Sequence, residues 1–353
     1  MSTIITGSGS YIPKVKIENS DFTEHSFYYE DGKRIQENSE LIIKKFKQIT
    51  GIESRRYVTD DQSNSNIAYL AGKAALEDAQ VDPETIDLII VAHNFGDVIK
   101  GSKQTDLVPS IASRVKKHLG IQNPHCVAHD VIFGCPGWVQ AMIHAHMFIS
   151  GGFNQRCLII GAEVLSRVID PFDRDTMIFA DGAGAVVVEK SNEDRGILAF
   201  SAVSHCNEET DYLFLGEGYN HFSDEQSLYI KMKGRKIYEY ALNHVPKAMK
   251  ECMDKSGLAI QDLKKILIHQ ANEKMDEAIV KRFYQFYDIT ELPKNIMPMT
   301  IGELGNSSVA TIPTLYDLIM KKQLGEHEIK PGDHILFASV GAGMNINAVI
   351  YKA

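Results

Sequence analysis

The stretch Val131-Ile132-Phe133-Gly134-Cys135-Pro136-Gly137-Trp138 places the tightest constraint on the fold. Its β-branched, apolar start predicts a buried strand. Gly134 marks a turn. Pro136 then stands just inside a helix start, where a missing N–H does no harm. The helix predicted over 136–150 carries Trp138, Val139, Ala141, Met142, Ile143, Ala145, Met147, Phe148 and Ile149, and Gly151-Gly152 closes it. A helix apolar on nearly every side is a buried one. Cys135 is therefore expected at the tip of a central helix, at the positive end of its dipole. There a thiol pKa falls and a reactive thiolate forms. A lone free cysteine is more often a packed core residue; the turn, the proline and the partners below set this one apart.

Such a helix needs a large core around it. With 353 residues, 44% of them hydrophobic, the chain has room for two domain-sized units. The divide is expected near Lys190-Ser191-Asn192-Glu193-Asp194, giving halves 1–190 and 191–353. A net charge of −9 argues against a nucleic-acid or anionic-membrane surface. The segment Met1-Ser2-Thr3-Ile4-Ile5 lacks the basic and apolar regions of a secretory signal, and no apolar run reaches spanning length. Five cysteines without C-x-x-C spacing give neither a disulfide frame nor a zinc signature. A cytoplasmic setting is expected, with no nucleic-acid or membrane partner, no metal and no bound cofactor. His144 and His146, two apart on the buried helix, read as core residues rather than ligands.

Along the chain, residues 3–12 read as a strand, and Gly7-Ser8-Gly9 within it lacks the third glycine of a dinucleotide fingerprint. Residues 18–47 are charged and read as a solvated helix face with an irregular flap around Tyr28-Tyr29 and Asp31-Gly32. An amphipathic helix is predicted over 64–79, buried strands over 86–92 and 157–161, and a helix opened by Pro109. Asp181-Gly182-Ala183-Gly184 reads as a glycine turn into a strand, with no lysine to make it a phosphate loop. Leu263–His269 echoes the strand that ends at His93, and Gly341-Ala342-Gly343 echoes Gly182-Ala183-Gly184. Matching landmarks in two βα-rich halves predict a duplicated α/β domain.

Three stretches fall where α/β folds build sites, at strand ends and helix starts. They are the Cys135 turn, His269-Gln270-Ala271-Asn272, and Leu304-Gly305-Asn306-Ser307-Ser308. Cysteine with histidine and asparagine is a known nucleophilic type. For Asn306 and Asn272 a helix cap is the plain structural reading.

These stretches, taken with Gly7-Ser8-Gly9-Ser10-Tyr11-Ile12-Pro13, Thr50-Gly51-Ile52, Asp170-Pro171-Phe172-Asp173-Arg174, Asp181–Ala185 and Gly341-Ala342-Gly343, run in order from end to end. Together they resemble the thiolase-fold condensing enzymes, and among them β-ketoacyl-acyl carrier protein synthase III. The resemblance implies a thiolase-like fold with duplicated βα halves in a five-layer αβαβα sandwich, a homodimer, and a Cys135–His269–Asn306 triad. Cys135 would take an acyl group from a coenzyme A or carrier-protein thioester. A malonyl-type carrier-protein thioester would then lose CO₂ and attack it. The N–H groups of Cys135 and Ala342 would form an oxyanion hole, with Ala342 in place of a family glycine and therefore needing a negative φ. Arg174, Gly234 and Tyr238 match substrate-binding positions, and Asn272 is a candidate for substrate contact beside its reading as a cap. Lys274, Lys281 and Arg282, spaced to share a helix face, are candidates for docking an acidic carrier protein.

The pattern is departed from at two places. Lys45 and Ile49 stand where the family has a tryptophan and an arginine for coenzyme A, and the single tryptophan is Trp138. The His93–Val108 loop is longer than usual, with Val108 at a bulky position that faces the partner's acyl pocket. Those changes also suit a ketosynthase that joins two β-keto chains, of the dialkylresorcinol-forming type. A thioester hydrolase or acyltransferase on the same triad, and a non-catalytic partner subunit, are the remaining readings.

Overall fold

The structure, a computed structural model, describes residues 2–222 and 227–353. Two sheets share one wiring. The first contains β1 (Ser2–Tyr11), β4 (Leu88–Ala92), β5 (Val127–Val131), β6 (Arg156–Val164) and β7 (Asp181–Ser191), in the order β1-β7-β6-β4-β5. β7 is antiparallel to both β1 and β6, whereas β4 is parallel to β6 and β5. The second contains β8 (Gly196–Ser204), β11 (Leu263–Ile268), β12 (His334–Gly341) and β13 (Asn345–Lys352), in the order β8-β13-β12-β11. Its pairings are antiparallel, antiparallel and parallel, repeating the first four strands of the other sheet. Where β5 lies in the first sheet, an irregular segment flanks β11: the Ile266 N–H donates to the Ile296 carbonyl at 2.8 Å.

Helices fill three layers around the sheets. α2 (Asn64–Ala79) and α3 (Ile111–Leu119) cover the outer face of the first sheet, joined by an apolar cluster that includes Ile67, Val115 and Leu158. α5 (Gly234–Ser256) and α6 (Glu273–Gln285) cover the second. Between the sheets lie α4 (Gly137–Ser150) and α8 (Thr311–Met320). One apolar cluster there joins Trp138 and Met142 to Ile159 of one sheet and Phe337 of the other, which is why α4 has little polar face. Trp138 and Tyr316 both meet Phe337 edge-on, at 5.8 and 5.9 Å between centroids, a geometry worth about 1 kcal/mol per pair beyond area. The arrangement is the five-layer αβαβα sandwich.

Smaller elements wall the site. β2 (Val15–Glu18) pairs with β3 (Ser54–Tyr57), and α1 (Ser39–Thr50) lies between them in the chain. β9 (Leu213–Glu217) pairs with β10 (Leu228–Met232). Buried Lys231 on β10 meets Asp170 at 2.5 Å and Asp173 at 3.2 Å, and stacks on the Tyr219 ring. The desolvation of its ammonium is offset by these partners together, and they fix the hairpin against the Asp170–Arg174 segment. α7 (Ile301–Leu304) precedes the Gly305-Asn306 turn.

Two sequence expectations are corrected. The strand before Cys135 stops at Val131 and is the half-exposed edge strand β5, with Ile132 59% exposed; apolar character alone did not report burial. Gly182 and Gly184 lie inside β7 rather than in a turn. Bare backbone is needed there because a Cβ on Gly184 would strike Pro313 and Thr314 of α8. His144 and His146 are satisfied by Gln140 (2.8 Å) and Thr3 (2.9 Å).

Candidate active site

Gly134 adopts φ +64°, and a Cβ there would lie 2.6 Å from the Ala342 nitrogen. Glycine is therefore required both for the turn and for the close approach. The contact sets the Cys135 turn against the 341–343 turn, so that Gly134, Cys135 and Ala342 line one cavity. Ala342 is absent from the positive-φ residues, as the loss of glycine demands; Gly343 and Met344 take the left-handed conformations instead.

His269 follows β11, tied by its N–H to the Ala338 carbonyl at 2.8 Å, and is 3% exposed. Asn306 bridges to Phe179: its N–H donates to the Ile178 carbonyl (2.9 Å), and its carbonyl accepts from Ala180 (2.8 Å). Its side-chain Oδ1 accepts the Ser308 N–H at 2.8 Å, as a capping asparagine does. With that oxygen engaged, Nδ2 is the group left to donate. Ser308 links all three residues. Its hydroxyl donates to the Cys135 Sγ at 3.4 Å, its N–H holds Asn306, and its main chain contacts the His269 imidazole.

The electrostatics differ from the expectation drawn from the helix dipole. Although Cys135 keeps some surface inside the cavity, burial pushes its thiol up to about 11; the Ser308 hydrogen bond works against that rise, and the Glu163 charge adds to it. Burial pushes the His269 imidazole down to about 4, with the Ser308 main chain opposing, and Nδ1 has no hydrogen-bond partner among the described residues. At neutral pH both shifts favour the uncharged forms, a thiol and a neutral imidazole, over a thiolate–imidazolium pair. The dipole is legible in sequence; desolvation is not.

The cavity beside Cys135 holds about 150 Å³ and is walled by Phe95, Leu165, Phe179, Phe214, Leu215 and Ile230, among others. A second cleft, of about 750 Å³, shares no lining residue with it. There the structure gathers Arg174, Gly234, Tyr238 and Asn272 with Lys45 and Ile49. Asn272 also caps α6, accepting the Met275 N–H at 3.0 Å. Lys45 is paired with Glu37 at 2.8 Å. Tyr29, from the irregular flap, presents its ring 5.9 Å from the Arg174 guanidinium and supplies the cleft with an aromatic that sequence spacing did not locate. Val108 lies outside both cavities, 85% exposed. Lys274, Lys281 and Arg282 are exposed on α6, but Arg282 is fastened to α5 through the Leu242 carbonyl (2.9 Å) and Asn243 (3.0 Å).

Residues 129–206 match the family model for 3-oxoacyl-[acyl-carrier-protein (ACP)] synthase III, and residues 253–353 match the model for its C-terminal part. The chain is 33% identical over 341 residues to beta-ketoacyl-[acyl-carrier-protein] synthase III 1 of Halalkalibacterium halodurans, covering 96% of this chain and 95% of the relative. It belongs to the β-ketoacyl-acyl carrier protein synthase III family. A second synthase III, from Paracoccus denitrificans, is 32% identical over 99% of this chain and 98% of its own. The crystal structure of the Aquifex aeolicus synthase III superposes with a TM-score of 0.79 at 30% identity, covering 99% of this chain and all of that one. As a synthase III family member the chain is an acyl-transferring enzyme with the thiolase fold. No helix among the described residues is long and apolar enough to cross a membrane.

Proposed function

We propose that this synthase III homologue joins a short acyl group to a malonyl-type thioester by decarboxylative Claisen condensation. The reading is supported above all by one convergence: Ser308, which lines the apolar cavity with Cys135, donates to the Cys135 sulfur, gives its N–H to the Asn306 side chain and touches the His269 imidazole through its main chain. In the first half-reaction the Cys135 sulfur attacks the acyl thioester carbonyl. A new C–S bond forms, the C–S bond to the carrier breaks, and the carrier sulfur leaves as a thiol with the proton that Cys135 gives up. The Cys135 and Ala342 N–H groups stabilise the tetrahedral oxyanion. In the second, the extender loses CO₂ and its carbanion attacks the acyl carbon, breaking the C–S bond and releasing Cys135 as a thiolate that regains its proton from solvent. His269 and Asn306 donate to the thioester oxygen of the extender while enolate charge develops.

The 750 Å³ cleft is the place for the carrier arm, with Arg174, Tyr238, Gly234 and Asn272 along it and Tyr29 facing Arg174 for a planar group. Lys274 and Lys281, two helical turns apart, give an acidic carrier protein a basic edge. The 150 Å³ cavity is on the order of five water volumes. Acyl groups of about two to five carbons are therefore expected to load from coenzyme A or carrier-protein thioesters, and acyl groups of about ten carbons are not. Mass spectrometry of the Cys135 peptide after each thioester reads this directly. Rapid thioester turnover without extender would favour a hydrolase, and efficient loading of β-keto long chains would favour the two-chain ketosynthase.

A homodimer is the expected assembly. β5 is an unpaired sheet edge, and Val127 (57%), Ile132 (59%) and Phe153 (81%) leave apolar surface exposed around it. Sedimentation should give twice the chain mass, and a charge at Val127, Val127→Asp, should shift the species toward the monomer. A wild-type protein that sediments as a monomer at assay concentration refutes the assembly.

A further inference from the structure

Ser308 holds an uncommon backbone conformation, φ +53°, and is 4% exposed. Nothing in the turn chemistry of its neighbours requires a hydroxyl there. The hydroxyl nevertheless sits between two groups: it donates to the Cys135 Sγ at 3.4 Å and accepts from the Asn94 Nδ2 at 3.2 Å. Asn94 is itself held. Its Nδ2 donates to the Glu163 Oε2 at 2.5 Å, and its backbone N–H donates to both Glu163 oxygens, at 3.1 and 3.3 Å. Glu163 is fully buried on β6 and acts as acceptor for every one of these bonds.

The polarity of the chain follows from what each group can do. A carboxylate that accepts both Asn94 donors orients the Asn94 amide with its nitrogen toward Ser308. A hydroxyl that receives that N–H has its proton left to give, and the partner in reach is sulfur. We propose that Ser308 is a dedicated hydrogen-bond donor to the Cys135 thiolate, with Asn94 and Glu163 as the positioning residues that aim it. The assignment rests on the reading of Cys135 as nucleophile. It adds a donor separate from His269, Asn306 and the backbone oxyanion hole. It answers the difficulty posed by the buried sulfur: a thiolate in an apolar cavity needs donors, and charge-assisted hydrogen bonds are the strong ones.

Other ionisable groups face the same place. His269 approaches from the end of β11. Glu163 reaches in from β6, and burial pushes its carboxyl up to about 7. His93, at the end of β4, makes its own hydrogen bonds away from the sulfur, its Nδ1 accepting the Gly96 N–H at 3.1 Å and its Nε2 facing Asp130 at 2.9 Å, and its charge works against the burial-driven rise of the Glu163 carboxyl.

The test is the pH dependence of Cys135 alkylation by iodoacetamide, read on the Cys135 peptide so that exposed Cys206 does not contribute. Ser308→Ala should raise the alkylation midpoint by about one pH unit, slow alkylation about tenfold at a fixed pH below it, and slow acyl loading in parallel. Asn94→Ala should move the midpoint the same way by less, because the hydroxyl remains but loses its aim. A folded Ser308→Ala protein with the wild-type profile overturns the proposal. If Ser308→Ala does not fold, the Asn94→Ala profile decides in the same sense. Failure of wild-type Cys135 to accept any acyl group would overturn the nucleophile reading instead, and the alkylation profile keeps the two outcomes apart.

Discussion

Cys135→Ala is expected to abolish acyl-enzyme formation and to lower condensation by at least about 10⁴-fold, the scale on which removal of a covalent nucleophile is felt. The fold should survive, because the cavity already lies beside the side chain and little packing is lost. Cys135→Ser should not rescue the activity. A serine hydroxyl is a far weaker nucleophile than a thiol, and the neutral imidazole at about 4 is a poor base to activate it. The direction of the wild-type pH profile also follows. A thiol pushed up to about 11 is mostly protonated at pH 7, so acyl loading should climb as the pH rises from 7 toward 9. Loading of Cys135→Ala at wild-type rate, or an acyl adduct on one of the other four cysteines, would remove the assignment.

What could be read from sequence, and what could not, follows from which physical signals leave a pattern. α2 was legible over its full span, 64–79, because Ile67, Ala71 and Ala75 repeat at helical spacing. β4 and β6 were legible because strands buried on both faces are continuous apolar runs. The Gly134–Cys135 turn, His269 and Asn306 were legible as residues at strand ends and helix starts. β5 was misjudged, since an edge strand and a central one can share a composition. The β7 glycines were misjudged because a residue without a side chain carries no periodicity; only the approach of α8 explains them. The thiol and imidazole pKa directions could not be read at all. They are set by desolvation, which depends on walls contributed by residues far apart in the chain. Tyr29 and Asn94 escaped for a related reason: each reaches the site from a loop whose course no local pattern specifies.

His269→Ala is expected to separate the two half-reactions. Acyl loading should fall by less than about tenfold, whereas condensation, with its release of CO₂ from the extender, should fall by about 10²–10³-fold, the usual loss when one donor to a developing oxyanion is removed. The reasoning turns on the protonation state. With its folded pKa at about 4, His269 is neutral throughout the physiological range and carries a single N–H. A neutral ring can give that proton as a hydrogen bond to the extender oxygen without first being titrated, so condensation should show no inflection near 6.5, the ordinary histidine value. The same depression has a consequence for stability. The unfolded chain protonates this histidine near 6.5 and the folded chain only near 4, so the unfolded state binds the extra proton between those values. The contribution of His269 to stability is complete above pH 6.5 and is lost as the pH falls from there to 4. The alanine variant should therefore lose less stability than the wild type over that window, measured as the change in denaturation midpoint between pH 7 and pH 4.5. Equal losses in loading and condensation would instead make His269 a base for Cys135, and an equal acid sensitivity of the two proteins would place its folded pKa near the unfolded one.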